Sequence, residues 1–169
     1  ADKTVLDLYC YSGGFTINAL VGGARAVTSV DTSARALALA KSNLELNGFD
    51  GTAVELVQAD VQRFAEELAH AGETFDLVIC DPPKLAPTKQ QFAQARKKYI
   101  KLNTQALRLI RPGGMLLTCS CSGVMATEPD AFRKVIAAAA AKAGRNVRVL
   151  RTGGPAMDHP YVVEFGLSR

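Results

Sequence analysis

Polar residues that could take part in binding or catalysis follow several apolar, β-branched runs of this 169-residue sequence. The first stretch runs from Asp7 to Phe15 and contains a Gly-Gly pair, which allows a tight turn and a close approach of ligand to backbone at a helix N-terminus. Its spacing is not G-x-G-x-x-G, so a dinucleotide pyrophosphate site is disfavoured. The stretch suits a phosphate-free ligand with a cationic amino-acid end, although a plain strand-to-helix turn is the alternative. The candidate ligand-binding residues here are Asp7, Tyr11, Ser12, Gly13, Gly14 and Phe15.

Two further acids stand where the next two predicted strands end. Asp31 begins an Asp-Thr-Ser sequence (Asp31, Thr32, Ser33) about twenty residues beyond the first turn, where a carboxylate can accept both hydroxyls of a ribose. The alternative is that Asp31 caps the next helix, for which Thr32 and Ser33 are equally suitable. Asp60, which precedes Val61, can accept the exocyclic amine of an adenine or cap the following helix, and the sequence leaves both roles open. These residues are therefore candidates for an adenosine-type ligand, which NAD and S-adenosylmethionine would both satisfy.

The fourth stretch, Asp81-Pro-Pro-Lys84, follows a buried apolar run. Two prolines fix the backbone and remove hydrogen-bond donors, so a rigid loop is predicted. It would hold Asp81, which is also a candidate cofactor-binding residue, where the carboxylate can accept from the exocyclic amine of a cytosine. Lys84 could donate to a base, a phosphate or a developing anion.

The four cysteines lie in or beside strand-like runs without metal-ligand spacing, which predicts neither a disulfide framework nor a metal site. Cys10 and Cys80 are expected to be inert, buried side chains. Cys119 and Cys121 would alternate on one strand and share a face, with Cys121 at its carboxyl end. Cys121 is then the candidate nucleophile for an activated ring carbon.

The net charge of +4 is unevenly distributed, because residues 84–111 contain eight basic residues and no acidic one. The remaining chain has 12 basic and 16 acidic residues. A concentrated basic stripe favours a phosphate-rich partner such as RNA, against the alternative of a solvated helix face. The candidate RNA-binding residues are Lys84, Lys89, Arg96, Lys97, Lys98 and Lys101.

Elements that position these residues alternate between strands and helices, which predicts a doubly wound, mostly parallel α/β sheet with helices on both faces. In such sheets the ligand lies at the carboxyl ends of the strands. No membrane-spanning run or signal peptide is evident, and the start at Ala1 suggests a fragment. Predicted strands cover 4–9, 25–31, 54–58, 75–81, 115–121 and 147–150, with a β-prone run at 161–165, and predicted helices cover 14–21, 33–47, 61–71, part of 90–110 and 130–143.

Taken together, these motifs resemble the bacterial large-subunit (23S) rRNA cytosine-5 methyltransferases of the RlmI type over essentially the whole chain. The resemblance rests on Tyr-Ser-Gly-Gly-Phe, Val-Asp-Thr-Ser, Asn-Leu-Glu-Leu-Asn-Gly, Asp-Pro-Pro-Lys, Lys-Tyr-x-x-Leu-Asn and Ser-Cys-Ser-Gly. It implies a class I, Rossmann-like domain that uses S-adenosyl-L-methionine and acts on rRNA in the cytoplasm. By this resemblance Asp31 would bind ribose, Asp60 adenine, Asp81 and Lys84 the cytosine, and Cys121 would attack the ring.

Two departures qualify the resemblance. Other RNA cytosine-5 methyltransferases have a second cysteine where this chain has Lys84, so the group that removes the ring proton is unassigned. The family also begins with an RNA-binding PUA domain and ends with a further strand, so a single catalytic domain over 1–169 with an incomplete final strand is expected. The alternatives are an rRNA guanine methyltransferase, an inactive cofactor- or RNA-binding module, and a dehydrogenase. The oligomeric state stays open, with a homodimer among the options.

Overall fold

The computed structural model describes residues 1–85, 92–122 and 130–154, together with the backbone of 161–162 and 167–168. Strands and helices alternate along the chain as predicted, and most boundaries fall within two residues of those expected. The strands are β1 (Lys3–Leu8), β2 (Ala24–Asp31), β3 (Val54–Gln58), β4 (Phe75–Cys80), β5 (Ile110–Thr118), β6 (Tyr161–Val162) and β7 (Leu167–Ser168). The helices are α1 (Gly14–Val21), α2 (Ala34–Leu46), α3 (Val61–His70), α4 (Phe92–Arg108) and α5 (Ala131–Ala143).

Strands β1 to β5 form one parallel sheet in the order β3-β2-β1-β4-β5. The order reverses between β1 and β4, which makes this pair the switch point of a doubly wound fold. Right-handed crossovers place α1 and α2 on one face of the sheet and α3 on the other. This architecture confirms the predicted fold class.

The chain forms two compact units. Unit 1 contains residues 1–82 and 105–119, and unit 2 contains residues 83–104 and 120–169. Unit 1 has an apolar core between its sheet and helices, built from Val5, Leu20, Val27, Leu44 and Ile79. Unit 2 has a core of its own, built from Ala95, Tyr99, Ile100, Ala131 and Val135.

Strand β5 differs from the prediction at both ends. It begins at Ile110 instead of Met115, because Pro112-Gly-Gly114 forms an irregularity within the strand instead of a stop before it. Gly113 takes a φ of +80°, and a Cβ on Gly114 would lie 2.8 Å from the carbonyl oxygen of Asp76. Only glycine fits so close an approach of two backbones.

The carboxyl end of β5 is also earlier than expected. The strand ends at Thr118, so the prediction that Cys119 and Cys121 alternate on one strand was wrong. Cys119 still donates its amide to the carbonyl of Cys80 at 3.0 Å, whereas Cys121 lies beyond the ladder.

The predicted strand 147–150 is absent, since residues 145–154 take no regular secondary structure. Its Val and Leu side chains have β propensity, but propensity makes a strand only where a partner strand supplies hydrogen bonds. Within the β-prone run, Tyr161–Val162 pairs antiparallel with Leu167–Ser168. Among the helices that the structure describes, none is long and apolar enough to cross a membrane.

Candidate active site

The carboxyl edge of the sheet in unit 1 gathers the four predicted carboxylates. Asp7 is the penultimate residue of β1 and Asp31 is the last residue of β2. Asp60 lies two residues after the end of β3, and Asp81 directly follows β4. The strands are parallel and adjacent, so their carboxyl ends lie at one edge. Strand register confirms the alignment, because Leu8 pairs with both Val30 and Cys80.

The turn after β1 is strained and tightly held. Tyr9 and Tyr11 have φ values of +67° and +46°, in a region that tyrosine rarely occupies. Such strain persists only where surrounding contacts impose it, and it concentrates at functional sites. The amide of Tyr9 donates to the carbonyl of Val30 at 3.0 Å, and the side-chain amide of Asn43 donates to the carbonyl of Ser12 at 2.9 Å.

The Gly-Gly pair has two separate tasks. Gly13 caps α1 with a φ of +80°, and a Cβ there would lie 3.1 Å from the Cβ of Ala40. Gly14 begins the helix and faces open space, so its backbone is accessible to a ligand. The side chains of Tyr11 and Phe15 are 67% and 37% exposed beside this turn, and they offer apolar surface to such a ligand.

Asp7 is fully buried beneath the turn. The hydroxyl of Thr16 donates to its Oδ2 at 2.7 Å, and the hydroxyl of Ser29 lies 2.8 Å from that of Thr16. Its other oxygen, Oδ1, has no hydrogen-bond partner in the structure. Burial raises the pKa of Asp7 to about 6, against the lowering effect of Thr16.

Asp31 links the first turn to the start of α2. Its Oδ2 accepts the amide of Tyr11 at 3.0 Å and its Oδ1 accepts the amide of Ser33 at 2.9 Å. A carboxylate has about four lone-pair positions, so both oxygens can accept further hydrogen bonds. Ser33 is the N-cap of α2, and its hydroxyl accepts a hydrogen bond from the amide of Ala36. Thr32 is exposed, and its carbonyl accepts a hydrogen bond from the side-chain amide of Gln58.

Asp60 is the N-cap of α3, and its Oδ1 accepts the amide of Arg63 at 2.9 Å. The capping role that the sequence left open is therefore confirmed. Val61 is buried as the first residue of the helix. A concavity of about 260 Å³ opens beside the cap and is lined by Ala59, Asp60, Arg63, Phe64 and Glu67.

Asp81 begins the proline loop within unit 1. Its amide lies 3.5 Å from the carbonyl of Leu8, so the loop starts against the end of β1. Pro82 is fully buried, which fixes the direction of the chain as it leaves the sheet. Lys84 is exposed in unit 2, two residues further on.

The cysteines differ sharply in environment. Cys10 and Cys80 are buried, and desolvation raises the pKa of each thiol to about 12, so neither forms a thiolate near neutral pH. The predicted burial of both side chains is therefore confirmed. Cys119 is half-buried and Cys121 is exposed.

The basic stripe divides into residues with different tasks. Arg96, Lys97, Lys98 and Lys101 are all exposed on the part of α4 that lies in unit 2. Arg111, which the sequence count included, instead pairs with Asp76 at 3.2 Å and donates to Thr4 at 3.1 Å. It therefore links the amino-terminal ends of β1 and β4, opposite the carboxyl ends where the carboxylates lie. Lys89 lies outside the described residues.

Sequence reasoning missed a buried polar pair in unit 2. The hydroxyl of Tyr99 lies 3.0 Å from that of Ser122, the residue after Cys121. The side-chain amide of Asn103 donates to the carbonyl of Tyr99 at 2.9 Å, and Asn103 Oδ1 is buried without a partner. The Lys-Tyr-x-x-Leu-Asn motif was a possible signal, although its spacing alone assigns no role.

The fold and the acidic sheet edge define the class: this is the Rossmann-like fold of the class I S-adenosylmethionine-dependent methyltransferases. The chain belongs to the methyltransferase domain family, whose profile matches residues 1–153.

Individual relatives make the similarity more specific. The chain is 46% identical over 98% of its length to ribosomal RNA large subunit methyltransferase I of Klebsiella pneumoniae strain 342 and covers 41% of that protein. The chain is 45% identical over 97% of its length to the corresponding protein of Cronobacter sakazakii, and it likewise covers 41% of that protein. The chain thus spans about 41% of the length of these curated relatives.

Solved structures give a consistent result. A candidate S-adenosylmethionine-dependent methyltransferase from Streptococcus mutans is 31% identical with a TM-score of 0.71, over 83% of this chain and 35% of that one. A candidate methyltransferase complexed with S-adenosylhomocysteine is 29% identical with a TM-score of 0.78, over 96% of this chain and 41% of that one.

Proposed function

We propose that this chain is the catalytic domain of a cytoplasmic, S-adenosylmethionine-dependent enzyme that forms 5-methylcytosine in large-subunit rRNA. One observation carries the assignment to cytosine. Of the two cysteines that are not fully buried, only Cys121 is exposed. In sequence it comes three residues after β5, and β5 pairs with β4, the strand that Asp81 follows. The names of the similar proteins, ribosomal RNA large subunit methyltransferases, support rRNA as the substrate.

The residues at the sheet edge fit the cofactor. Asp7 Oδ1 is a buried acceptor without a protein partner, beneath a turn whose Gly14 backbone is open. A hydrogen-bond donor from the amino-acid end of the cofactor, direct or through water, would satisfy that oxygen. Asp31 would bind the ribose hydroxyls, and Asp60 with Val61 would border the adenine beside the 260 Å³ concavity. When bound, the cofactor supplies a methyl group on a sulfonium.

The chain's own residues would activate the base. Asp81 would accept from the exocyclic amine of the cytosine, and Lys84 would donate to the base or to charge that develops on it. The Cys121 thiolate would add to ring carbon 6, which makes carbon 5 nucleophilic towards the methyl group. Loss of the proton from carbon 5 then re-forms the double bond, and the sulfur leaves carbon 6 as a thiolate.

The exposed basic face of α4 would hold the RNA. Lys101 comes three residues after Lys98 and four after Lys97, so the three side chains lie on one side of the helix. Like charges at this spacing repel one another, and residues 84–111 contain no acidic residue. Phosphate groups of RNA would be attracted to this concentration of positive charge, and Arg96, Lys84 and Lys89 would extend the contact.

Adduct trapping tests the mechanism. Transcribed 23S rRNA containing 5-fluorocytidine cannot lose a proton from carbon 5, so the proposal expects a covalent protein–RNA complex in the presence of S-adenosylmethionine. Cys121→Ser should abolish the complex, while Cys119→Ser, the matched control, should retain it. If ordinary rRNA is methylated without any adduct, cytosine-5 chemistry is excluded and a guanine methyltransferase becomes the better assignment.

A further inference from the structure

The two compact units have opposite charge. Unit 1 contains seven basic and 12 acidic residues, a net charge of −5, whereas unit 2 contains 13 basic and four acidic residues, a net charge of +9. The basic face of α4 explains only part of this excess. A second acid-free segment, residues 131–157, holds six basic residues: Arg133, Lys134, Lys142, Arg145, Arg148 and Arg151.

The structure brings part of this segment together. After α5 the chain returns towards the start of the helix, because Arg133 donates to the hydroxyl of Thr152 at 3.5 Å. Thr152 directly follows Arg151, so Arg151 is close to the first turn of α5. Arg148 and Arg151 are exposed, as are Arg133 and Lys134 on the helix. We call these four residues the α5 surface.

This arrangement carries an electrostatic cost. Arg133 and Lys134 occupy the first turn of α5, where the helix dipole already presents positive charge and where no acidic residue follows the cap. The carboxylate of Asp130 lies 3.8 Å from Arg133, but this pair is solvent-exposed and contributes little. An anionic partner would relieve the repulsion among the four cations.

We propose that the α5 surface is a second RNA-binding surface, separate in sequence from the basic face of α4. The proposal rests on the proposed function, because that function supplies the RNA. Its partner is the phosphate backbone and unpaired bases of a single-stranded stretch of the same substrate.

The residue types favour single-stranded RNA over a simple polyanion. All three cations between Gly144 and Thr152 are arginines, whose planar guanidinium groups stack on bases and also bind phosphate. Val149 and Leu150 stand among them and are 62% and 81% exposed. These apolar side chains would lose contact with water against the flat face of an unpaired base, a surface that a simple polyanion does not present.

Salt-dependent binding tests the surface. Anisotropy of a fluorescein-labelled single-stranded RNA oligonucleotide would be measured over a range of KCl concentrations with the full chain. For Arg148→Gln/Arg151→Gln we expect roughly 5- to 30-fold weaker binding near 0.1 M salt and a salt slope smaller by about 1.4, since each lost phosphate contact removes about 0.7. Arg25→Gln/Lys41→Gln, which removes two exposed charges from unit 1, is the matched control.

The outcomes distinguish a failure of the α5 surface from a failure of the proposed function. If Lys97→Gln/Lys98→Gln weakens binding while Arg148→Gln/Arg151→Gln behaves like the control, the α5 surface is overturned and the proposed function stands. If the unaltered chain binds no RNA at all, the rRNA assignment itself fails. If polyglutamate, but not RNA, binds in a manner that depends on Arg148 and Arg151, the surface serves an acidic protein instead.

Discussion

The hydroxyl of Tyr99 is hydrogen-bonded to the hydroxyl of Ser122 at 3.0 Å, and both side chains are buried within unit 2. The ring of Tyr99 also packs edge-on against Phe132, with centroids 5.9 Å apart. The part of α4 that carries Lys97, Lys98 and Lys101 is therefore fixed to the residue that follows the proposed nucleophile, Cys121. The pair restrains the backbone at this position.

Removing this hydroxyl should loosen the Cys121 segment. Tyr99→Phe keeps the ring packing but removes the hydrogen bond between Tyr99 and Ser122, at a cost of about 0.5–1.5 kcal/mol in the free energy of unfolding. Urea denaturation measures the loss of stability. The rate at which iodoacetamide alkylates Cys121 should rise as the segment loosens. Tyr11→Phe, which alters an exposed ring, should change neither quantity; equal effects of both variants would refute the anchoring role.

Burial of Asp7 makes stability depend on pH. Its pKa rises from 3.8 to about 6 on folding, so between these pH values the folded protein keeps a proton that the unfolded chain has already lost. The free energy of unfolding should therefore fall as the pH rises from about 4 to about 6 and then level off. Asp7→Asn should remove this dependence and stabilise the protein by about 1–3 kcal/mol at pH 8, as measured by urea denaturation.

The same variant tests the cofactor role of Asp7. Asparagine retains an oxygen for Thr16 but cannot present a carboxylate to a donor on the ligand. We expect Asp7→Asn to weaken S-adenosylhomocysteine binding in calorimetry even though it stabilises the protein. Unchanged affinity would mean that Asp7 Oδ1 does not face the cofactor.

At Asp60 the capping and ligand roles can be separated. Asp60→Ala should cost about 1 kcal/mol of stability, because the amide of Arg63 loses its acceptor. Asp60→Ser should preserve the cap and the stability, yet weaken S-adenosylhomocysteine binding if the carboxylate accepts from adenine. Thermal unfolding and calorimetry on both variants provide the measurements, and full affinity in Asp60→Ser would leave Asp60 with a capping role alone.

The irregularity in β5 predicts that position 114 requires glycine. A Cβ at Gly114 would lie 2.6 Å from Ile110 Cγ2 and 2.8 Å from the carbonyl oxygen of Asp76, so backbone must shift. Gly114→Ala should therefore destabilise the protein by about 2–4 kcal/mol in urea denaturation. Gly153→Ala, where a Cβ meets nothing within 4 Å, should be close to neutral. Loss of stability in both variants would contradict the steric explanation.

The sequence by itself determined the parallel sheet and the carboxylates at its edge. Alternating strand and helix patterns are local, and every parallel strand ends at the same edge, so Asp7, Asp31, Asp60 and Asp81 could be placed without coordinates. The burial of Cys10 and Cys80 followed in the same way, because apolar runs predict core strands.

Only the tertiary structure decided which distant residues contact one another and where two of the strands begin, end or fail to form. Whether Pro112-Gly-Gly114 ends a strand or bulges within it depends on the approach of Asp76, and whether Val147–Leu150 forms a strand depends on a neighbouring strand. Likewise, Arg111 binds Asp76, and Tyr99 meets Ser122 23 residues away in sequence. Such contacts join distant parts of the chain, and local propensity carries no information about which of them form.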